Sequence, residues 1–155
     1  MEITESQKNK IISAVAEAVK NSEKLTLSTA KRLADKITEY AESIGKKLVI
    51  AIVNDQGRPI LVEVMDGAFL VSYDVALKKA YSAVAVKMST ARLAKEVKAG
   101  GSLQGLETEG SLIFLGGGEP LYKNGKLIGA VAVSGGTAEE DTFYAKKALE
   151  FFNAL

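Results

Sequence analysis

The sequence contains no histidine, no cysteine and no tryptophan among its 155 residues. Without histidine there is no Ser-His-Asp triad, no imidazole general base and no His-ligated metal. Without cysteine there is no disulfide, no thiolate nucleophile and no Cys-ligated zinc or iron–sulfur site. A bound metal would have to use carboxylate, carbonyl, Tyr, Met or Lys ligands. No catalytic motif is evident in what is left.

Excess charge and long apolar runs are also missing. Twenty basic and nineteen acidic residues give a net charge of +1, which argues against a broad nucleic-acid surface. The longest apolar runs fall well short of the about 18 residues that a membrane span needs. The polar residues 1–5 do not resemble a signal peptide. We therefore expect no nucleic-acid partner, no membrane partner and a cytoplasmic location.

An amphipathic helix is predicted at the N-terminus, ahead of the main domain. Thr4 and Gln7 match a capping box, and apolar residues then recur at helical spacing as far as Val19. This helix could cover a groove on its own domain or dock on a partner. The short linker that follows, residues 21–25, favours packing on its own domain. We predict a helical extension over residues 1–24 and one domain over residues 25–155.

The rest of the chain predicts an α+β domain. Helices are predicted from Thr26 to Gly45, over residues 72–88 and 90–98 and from Thr137 onward, and strands over residues 48–53, 59–65, 112–115, 121–122 and 127–134. Asn124-Gly125 between the last two strands is a strong hairpin signal. Hairpins joined in this way indicate a five-stranded, mostly antiparallel sheet that is flanked by helices.

Two glycine-rich turns are candidate ligand-binding segments, because glycine lets a ligand approach backbone N–H groups. They are Gly116-Gly117-Gly118, which leads to Pro120, and Ser134-Gly135-Gly136-Thr137, which enters a helix. The first lacks the context of a nucleotide-binding loop and is equally well explained as a flexible turn. The second offers a helix N-terminus to an anion. The acidic residues 139–141 favour ordinary capping there instead.

A strand-end loop and a lysine complete the candidate site. The loop is Met65-Asp66-Gly67-Ala68, and loops at strand ends commonly carry sites. Asp66 could equally satisfy local backbone amides. Lys79 lies on a helical stripe of alanines, where burial would lower its pKa and suit it as a base or an anion clamp. Alternatively its aliphatic stem extends along the surface and leaves the amine in water.

These segments together resemble the haem-degrading-domain family, which includes GlcG-type and HbpS-type proteins and the C-terminal domain of PduO-type cobalamin adenosyltransferases. The similar segments are residues 53–57, 65–68, 76–83, and 117–121 with 129–137, and the resemblance extends over about residues 25–155. It implies a profilin-like layered domain in which helices flank a five-stranded antiparallel sheet. It also implies assembly as a dimer or a larger oligomer.

The resemblance implies a small-molecule-binding accessory protein whose ligand is a tetrapyrrole, either a corrinoid or haem. Such proteins accompany glycolate metabolism or diol and glycerol metabolism, in part within bacterial microcompartments. By this analogy the N-terminal helix would dock on a dehydratase or on a microcompartment shell. Without histidine, haem iron would depend on a lysine or on Tyr73, Tyr81, Met65 or Met88. A corrinoid, which brings its own lower ligand, tolerates the lack of histidine better.

The expected pocket lies near a subunit interface and combines the Met65 loop, Lys79 and the two glycine-rich turns. In it Lys79 pairs with a ligand carboxylate, the glycines admit the ligand edge and Asp66 orients the loop. Two other functions stay open. One is an enzyme acting on a small oxygenated metabolite, with Lys79 as base and Ser134 or backbone amides holding an oxyanion. The other is a non-catalytic interaction module.

Overall fold

The computed structural model describes residues 2–155, apart from the side chains of residues 21 and 22. In the described part, the helices are α1 (Glu5–Ser22), α2 (Leu27–Ser43), α3 (Leu70–Val86), α4 (Thr90–Glu96) and α5 (Ala138–Asn153). The strands are β1 (Val49–Asn54), β2 (Pro59–Val64), β3 (Gly118–Lys123) and β4 (Lys126–Ser134). A short 3-10 turn covers Leu106–Thr108. None of the helices found among residues 2–155 has both the length and the apolar character needed to cross a bilayer.

The strands form one antiparallel sheet in the order β2-β1-β4-β3. Val49 at the start of β1 lies between Val64 at the end of β2 and Ser134 at the end of β4. Gly118 at the start of β3 lies beside Ala132 of β4. The segments next to these residues therefore share one edge of the fold, which we call the Val49 end of the sheet.

Helices cover both faces of the sheet. Because alternate residues of a strand point to opposite faces, Ile50 and Ile52 pack with α2 and α5, whereas Val49 and Ala51 pack with α3. The α3 helix presents small buried residues to the sheet, namely Ala76, Ala80 and Ala83. Small side chains let the helix lie close to the strands. The predicted α+β class, with helices flanking an antiparallel sheet, is confirmed.

The predicted fifth strand is wrong, because residues 112–115 are irregular and the sheet has four strands. The N–H of Ile113 donates to the buried hydroxyl of Ser82 on α3, at 2.9 Å, in place of a strand partner. The neighbouring side chains of Leu112 and Phe114 are half-buried. The apolar character of this run thus reflects packing outside the sheet.

The predicted helix starts and the predicted hairpin turn are confirmed. Thr4 and Gln7 form reciprocal hydrogen bonds at the start of α1, and Thr137 and Glu140 do the same at the start of α5. Gly125 follows Asn124 in the β3–β4 turn, and both residues have positive φ angles. A two-residue hairpin of this type requires that conformation.

The α1 helix projects from the domain. Every residue from Glu5 to Lys20 is exposed, and the apolar residues Ile11, Ile12, Val15 and Val19 are each more than half exposed. The expectation that α1 packs on its own domain is therefore wrong. The helices that pack on the sheet are mainly α2, α3 and α5.

A candidate ligand site beside a buried ion pair

Lys79 forms a buried ion pair with Asp141, which lies in the first turns of α5. The Lys79 side chain is fully buried, and its Nζ lies 2.7 Å from Asp141 Oδ2. The same ammonium group donates to the carbonyl of Val133 at 3.1 Å. Burial lowers the pKa of Lys79, while the hydrogen bond and the negative charge of Asp141 oppose that shift. The amine is thus engaged within the chain.

Asp141 also holds the Ser134-Gly135-Gly136-Thr137 turn. Its Oδ1 accepts the N–H of Gly136 at 2.8 Å, and its Oδ2 accepts the N–H of Gly135 at 3.4 Å. The backbone donors that could have received an anionic ligand are therefore bound to the chain's own carboxylate. The sequence indicates this role of Asp141 only weakly: the residue is an acid in the first turn of a helix that begins soon after Gly135-Gly136.

The Gly116-Gly117-Gly118 turn is closely packed against the same ion pair. A Cβ atom on Gly117 would lie 2.7 Å from the Val133 carbonyl and 2.8 Å from Lys79 Nζ. A Cβ atom on Gly118 would lie 2.7 Å from the Lys79 carbonyl, and the Gly118 N–H donates to the buried Thr90 hydroxyl at 2.9 Å. Close packing thus accounts for glycine at both positions.

The Met65 loop lies at the Val49 end of the sheet but not beside Lys79. The Met65 sulfur accepts the Leu48 N–H at 3.4 Å, and Gly67 lies against the side chain of Lys47. Residues 46–48 therefore separate this loop from the Ser134 turn, whose Gly135 packs on the Lys47 carbonyl. The structure brings Lys79 and the two glycine-rich turns together, with the loop nearby and Pro120 further along β3, opposite Ala130. Their role in ligand binding stays a prediction.

Lys79 and Ser134 do not form a catalytic dyad in this arrangement. Both residues are buried, and the hydrogen bonds of the Lys79 amine go to Val133 and Asp141. The amine therefore has no exposed position from which to accept a proton from a substrate.

An open, mostly apolar crevice lies between α4 and α5, next to Gly116. Its volume is about 660 Å³. The apolar lining consists of Ala91, Ala94, Val97, Phe114, Leu115, Gly116 and Ala138. The polar lining consists of Lys95, Lys98, Glu139 and Thr142. The sequence did not predict a contribution from α4, although Ala91, Ala94, Lys95 and Lys98 recur at helical spacing and therefore lie on one side of the chain there.

The crevice offers few metal ligands. The aromatic and thioether groups named as candidate iron ligands, Tyr73, Tyr81, Met65 and Met88, are absent from its lining, which does contain two lysines, Lys95 and Lys98, whose charged ammonium groups suit carboxylates. Within residues 2–155, the acidic side chains form no cluster of three or more that could hold a metal ion. The residues of the crevice therefore fit the faces and the carboxylates of a flat organic ligand better than they fit a metal.

A second, more exposed ion pair joins the chain before β1 to α5. Lys46 Nζ lies 2.5 Å from Glu140 Oε2, and the Tyr144 hydroxyl also reaches this carboxylate, at 3.3 Å. The hydrogen bond from Lys46 is the main cause that lowers the pKa of Glu140 to about 2. The same contact raises the pKa of Lys46. This pair therefore links the residues before β1 to the first turn of α5 at the Val49 end of the sheet.

Sequence comparison places residues 25–150 within the model of a family described as "Haem degrading protein HbpS-like". A 15.0 kDa protein from the dhaT-dhaS intergenic region of Citrobacter freundii is 39% identical over 133 residues, which cover 84% of this chain and 94% of that protein. The corrinoid adenosyltransferase PduO of Salmonella typhimurium is 38% identical over 117 residues. The match covers 74% of this chain and 35% of PduO, so the chain spans about a third of that enzyme.

Comparison with solved structures also finds the relatives of this family. The crystal structure of a complex of PduOC with haem superimposes with a TM-score of 0.77 at 35% sequence identity. The superposition covers 83% of this chain and 94% of the other. The layered fold described above is therefore shared with a protein that has been crystallised with haem.

Proposed function

The chain belongs to the HbpS-like family of haem-degrading proteins, and we propose from this membership that it is a small-molecule-binding accessory protein whose ligand is a tetrapyrrole. The crevice between α4 and α5 is the observation that carries the proposal. Its volume of about 660 Å³ lies in the usual range for ligand pockets, and its wall is mainly apolar. Gly116 is the predicted site residue that lines it.

The crevice favours a macrocycle that carries carboxylates. Lys95 and Lys98 are exposed lysines at the crevice and can pair with the two propionates of haem. Alanine and valine side chains leave room for the flat, apolar faces of the ring. Cobalamin carries amides on its periphery and gains less from two lysines. We therefore place haem ahead of a corrinoid as the ligand of this crevice.

In this proposal the side chains of the crevice contact the edge of the ring and its carboxylates, and none of them is a ligand of the metal. Haem would supply redox chemistry at its iron, whereas the residues of this chain bind the ring and its carboxylates. Glu139 and Thr142 are the other polar groups of the lining. The enzyme alternative has less support, because the amine of Lys79 is sequestered by Asp141.

Absorbance titrations with haem, metal-free protoporphyrin and cobalamin test the proposal. If the ring and its carboxylates carry the affinity, haem and protoporphyrin should bind with similar dissociation constants and cobalamin more weakly. Binding of haem without binding of protoporphyrin would show that the iron is held by the protein, and it would overturn the proposed mode of binding. Absence of binding by all three ligands would overturn the proposed function.

Two paired variants locate the site. The double variant Lys95→Glu/Lys98→Glu should weaken haem binding by about tenfold or more, since two charge-assisted contacts are replaced by repulsion. The control Lys31→Glu/Lys36→Glu changes the net charge by the same amount on exposed positions of α2. Equal losses in the two double variants would show a general charge effect and would exclude the crevice as the site.

The projecting α1 helix supports a second proposal, that it docks the protein on the shell of a bacterial microcompartment. Its apolar residues Ile11, Ile12 and Val15 are more than half exposed, and an amphipathic helix of this kind binds an apolar groove on a partner. The similarity to PduO and to the dhaT-dhaS protein supports the diol or glycerol metabolism that the family resemblance implies, whereas a setting in glycolate metabolism rests on that resemblance alone.

Deletion of residues 1–22 tests the docking role. The shortened protein should stay folded and should no longer co-purify with shells, and Ile12→Glu/Val15→Glu in the full chain should have the same effect. Unchanged co-purification would reject the proposal. The protein could instead co-purify with a dehydratase in extracts without shells, and lose this association when α1 is deleted. That result would show that α1 docks on the enzyme, and it would also overturn the shell proposal.

A further inference from the structure

A second pocket lies at the other end of the sheet from the crevice. It opens where the β3–β4 hairpin, the start of α2 and the end of α5 come together, and its volume is about 360 Å³. The hairpin turn precedes β4, whose far end at Ser134 belongs to the Val49 end of the sheet. The two pockets have no lining residue in common. We call this second one the hairpin pocket, and its function is separate from that of the crevice.

Positive charge is concentrated in the hairpin pocket. Among the described residues, its lining has three cationic side chains and no acidic one: Lys24 before α2, Arg32 on α2 and Lys123 at the end of β3. None of these three forms an ion pair within the described part of the chain. Glu23, the acid next to Lys24, is paired with Lys126 instead, at 3.3 Å. Three uncompensated cations therefore line one pocket.

Side chains rather than helix dipoles give the pocket its charge. Thr29 in the first turn of α2 brings the positive end of one dipole to the lining, and Asn153 at the end of α5 brings the negative end of another. These two contributions oppose each other. A cleft lined by charges of one sign concentrates small ions of the opposite sign. The hairpin pocket is therefore of the kind that binds an anion.

The number and origin of the cations favour a phosphate group over a single carboxylate. Lys24, Arg32 and Lys123 belong to a linker, a helix and a strand, so they are distributed around the pocket. A phosphate ester offers three acceptor oxygens and about two negative charges near pH 7, whereas a carboxylate offers two oxygens and one charge. The guanidinium group of Arg32 also matches phosphate with two parallel hydrogen bonds.

We infer that the hairpin pocket binds a small organic phosphate. The three cations bind the phosphate group, and the rings of Tyr122 and Phe152 contact the organic part. Tyr122 is 42% exposed and Phe152 is half-buried, so both rings are accessible from the pocket. The amides of Asn124 and Asn153 are the polar groups left to bind hydroxyl groups of the ligand. The inference does not depend on the ligand of the crevice or on the role of α1.

Calorimetric titration of the purified full chain with three probes tests the class of ligand. Phenyl phosphate should bind at one site per chain with a dissociation constant of about 1 mM or lower. Phenyl sulfate has the same shape but only one charge, and inorganic phosphate lacks the ring; each should bind at least about fivefold more weakly. The inference is overturned if phenyl phosphate does not bind, or if either of the other probes binds as tightly.

Paired variants locate the site. Arg32→Ala/Lys123→Ala should weaken binding of phenyl phosphate by about tenfold or more, because two charge-assisted contacts are lost. The control Lys31→Ala/Lys36→Ala removes the same charge from exposed positions of α2 outside the lining and should keep the wild-type affinity. All four side chains are exposed, so circular dichroism and the melting temperature should stay those of the wild type. Equal losses in the two double variants would show a general charge effect and would contradict the inference.

The crevice variant separates the two sites. Lys95→Glu/Lys98→Glu, which should weaken haem binding, should leave the affinity for phenyl phosphate within about twofold of wild type, since neither lysine lines the hairpin pocket. Loss of phenyl phosphate binding in this variant, with retention in Arg32→Ala/Lys123→Ala, would place the phosphate in the crevice and reject the hairpin pocket. Failure of haem to bind would leave the phosphate result unaffected.

Discussion

The ammonium group of Lys79 and the carboxylate of Asp141 meet 2.7 Å apart, and the two side chains are 0% and 3% exposed. The pair joins α3 to α5, and through Val133 and Gly136 it also holds the end of β4 and the turn that follows. Each ion makes further hydrogen bonds to the backbone, which offsets part of the cost of removing it from water. The pair is thus the central polar contact at the Val49 end of the sheet.

Removing one partner of this pair should be strongly destabilising. Lys79→Met leaves a buried carboxylate without its cation, and Asp141→Asn leaves a buried ammonium without its anion. Each should cost about 3 to 5 kcal/mol of unfolding free energy. The double variant Lys79→Met/Asp141→Asn should lose at least about 1 kcal/mol less than the sum, because no uncompensated charge is left. Urea unfolding of the four proteins measures the coupling.

The exposed pair Lys147–Glu150 is the control for that cycle. Its atoms are 3.2 Å apart, but its side chains are 34% and 66% exposed. The variants Lys147→Met and Glu150→Gln should therefore combine with a coupling energy near zero, at most about 0.5 kcal/mol. Additive losses at Lys79 and Asp141 would contradict the central role given to the buried pair.

Gly117→Ala should be much more destabilising than Gly110→Ala. Both glycines have positive φ angles, +125° and +92°, so both substitutions strain the backbone. A Cβ atom on Gly110 meets no other atom within 4 Å, whereas one on Gly117 would lie 2.7 Å from the Val133 carbonyl. We expect about 1 to 2 kcal/mol for Gly110→Ala and several kcal/mol for Gly117→Ala. Thermal unfolding compares the two; equal losses would show that Gly117 is not closely packed.

The Lys46–Glu140 pair should make the stability of the fold decrease as the pH falls into the acid range. The pKa of Glu140 is about 2 in the folded protein, below the ordinary value of 4.5. A lowered carboxyl pKa stabilises the fold above pH 4.5, and this contribution is lost as the pH falls towards 2. The melting temperature of wild type should therefore exceed that of Glu140→Gln near neutral pH, and the two should converge towards pH 2.

A matched variant on another helix and the basic end of the titration check this assignment. Glu39→Gln removes the same charge at an exposed position of α2, and its melting temperature near neutral pH should stay close to that of wild type. The pKa of Lys46 is raised above 10.5, so its contribution holds below that pH and is lost as the pH rises through the folded value. A difference between wild type and Glu140→Gln that stays constant from pH 6 to pH 2 would contradict the prediction.

Deletion of residues 1–24 should leave the stability of the domain almost unchanged. Residues 5–20 of α1 are all exposed, so their removal takes little apolar surface out of the core. The deletion also removes the exposed ion pair between Glu23 and Lys126, whose charged atoms are 3.3 Å apart and which is worth at most about 1 kcal/mol. Denaturant midpoints of the full and shortened chains provide the measurement. A large decrease would show that α1 belongs to the folded unit.

Features decided by neighbouring residues could be predicted from the sequence. The capping boxes at Thr4 and Thr137 and the Asn124-Gly125 hairpin depend on short-range chemistry, and each is confirmed. The predicted order of helices and strands is confirmed apart from the strand expected over residues 112–115. The α+β class follows from that order. Helical periodicity also predicted that Lys79 lies on the same side of α3 as its small residues.

Features decided by distant residues could not be predicted in the same way. Residues 112–115 have the composition of a strand, but a strand needs a partner edge, and Ser82 of α3 takes the Ile113 N–H instead. Asp141 looked like one of three acids that cap α5, because only the fold brings Lys79 to it across 62 positions of the chain. The exposed position of α1 could not be predicted either, because an amphipathic pattern is the same in a helix that packs on its own domain and in one that does not.

The order in which the two members of the buried pair are synthesised has a consequence for the growing chain. Lys79 leaves the ribosome well before Asp141, so a chain that stops at the end of β4 has the sheet and the lysine but not the carboxylate that compensates it. Packing α3 onto the sheet at that stage would bury an unpaired cation. We therefore expect the elements at the Val49 end to pack together only after α5 has emerged, and the nascent domain to remain protease-sensitive there until then.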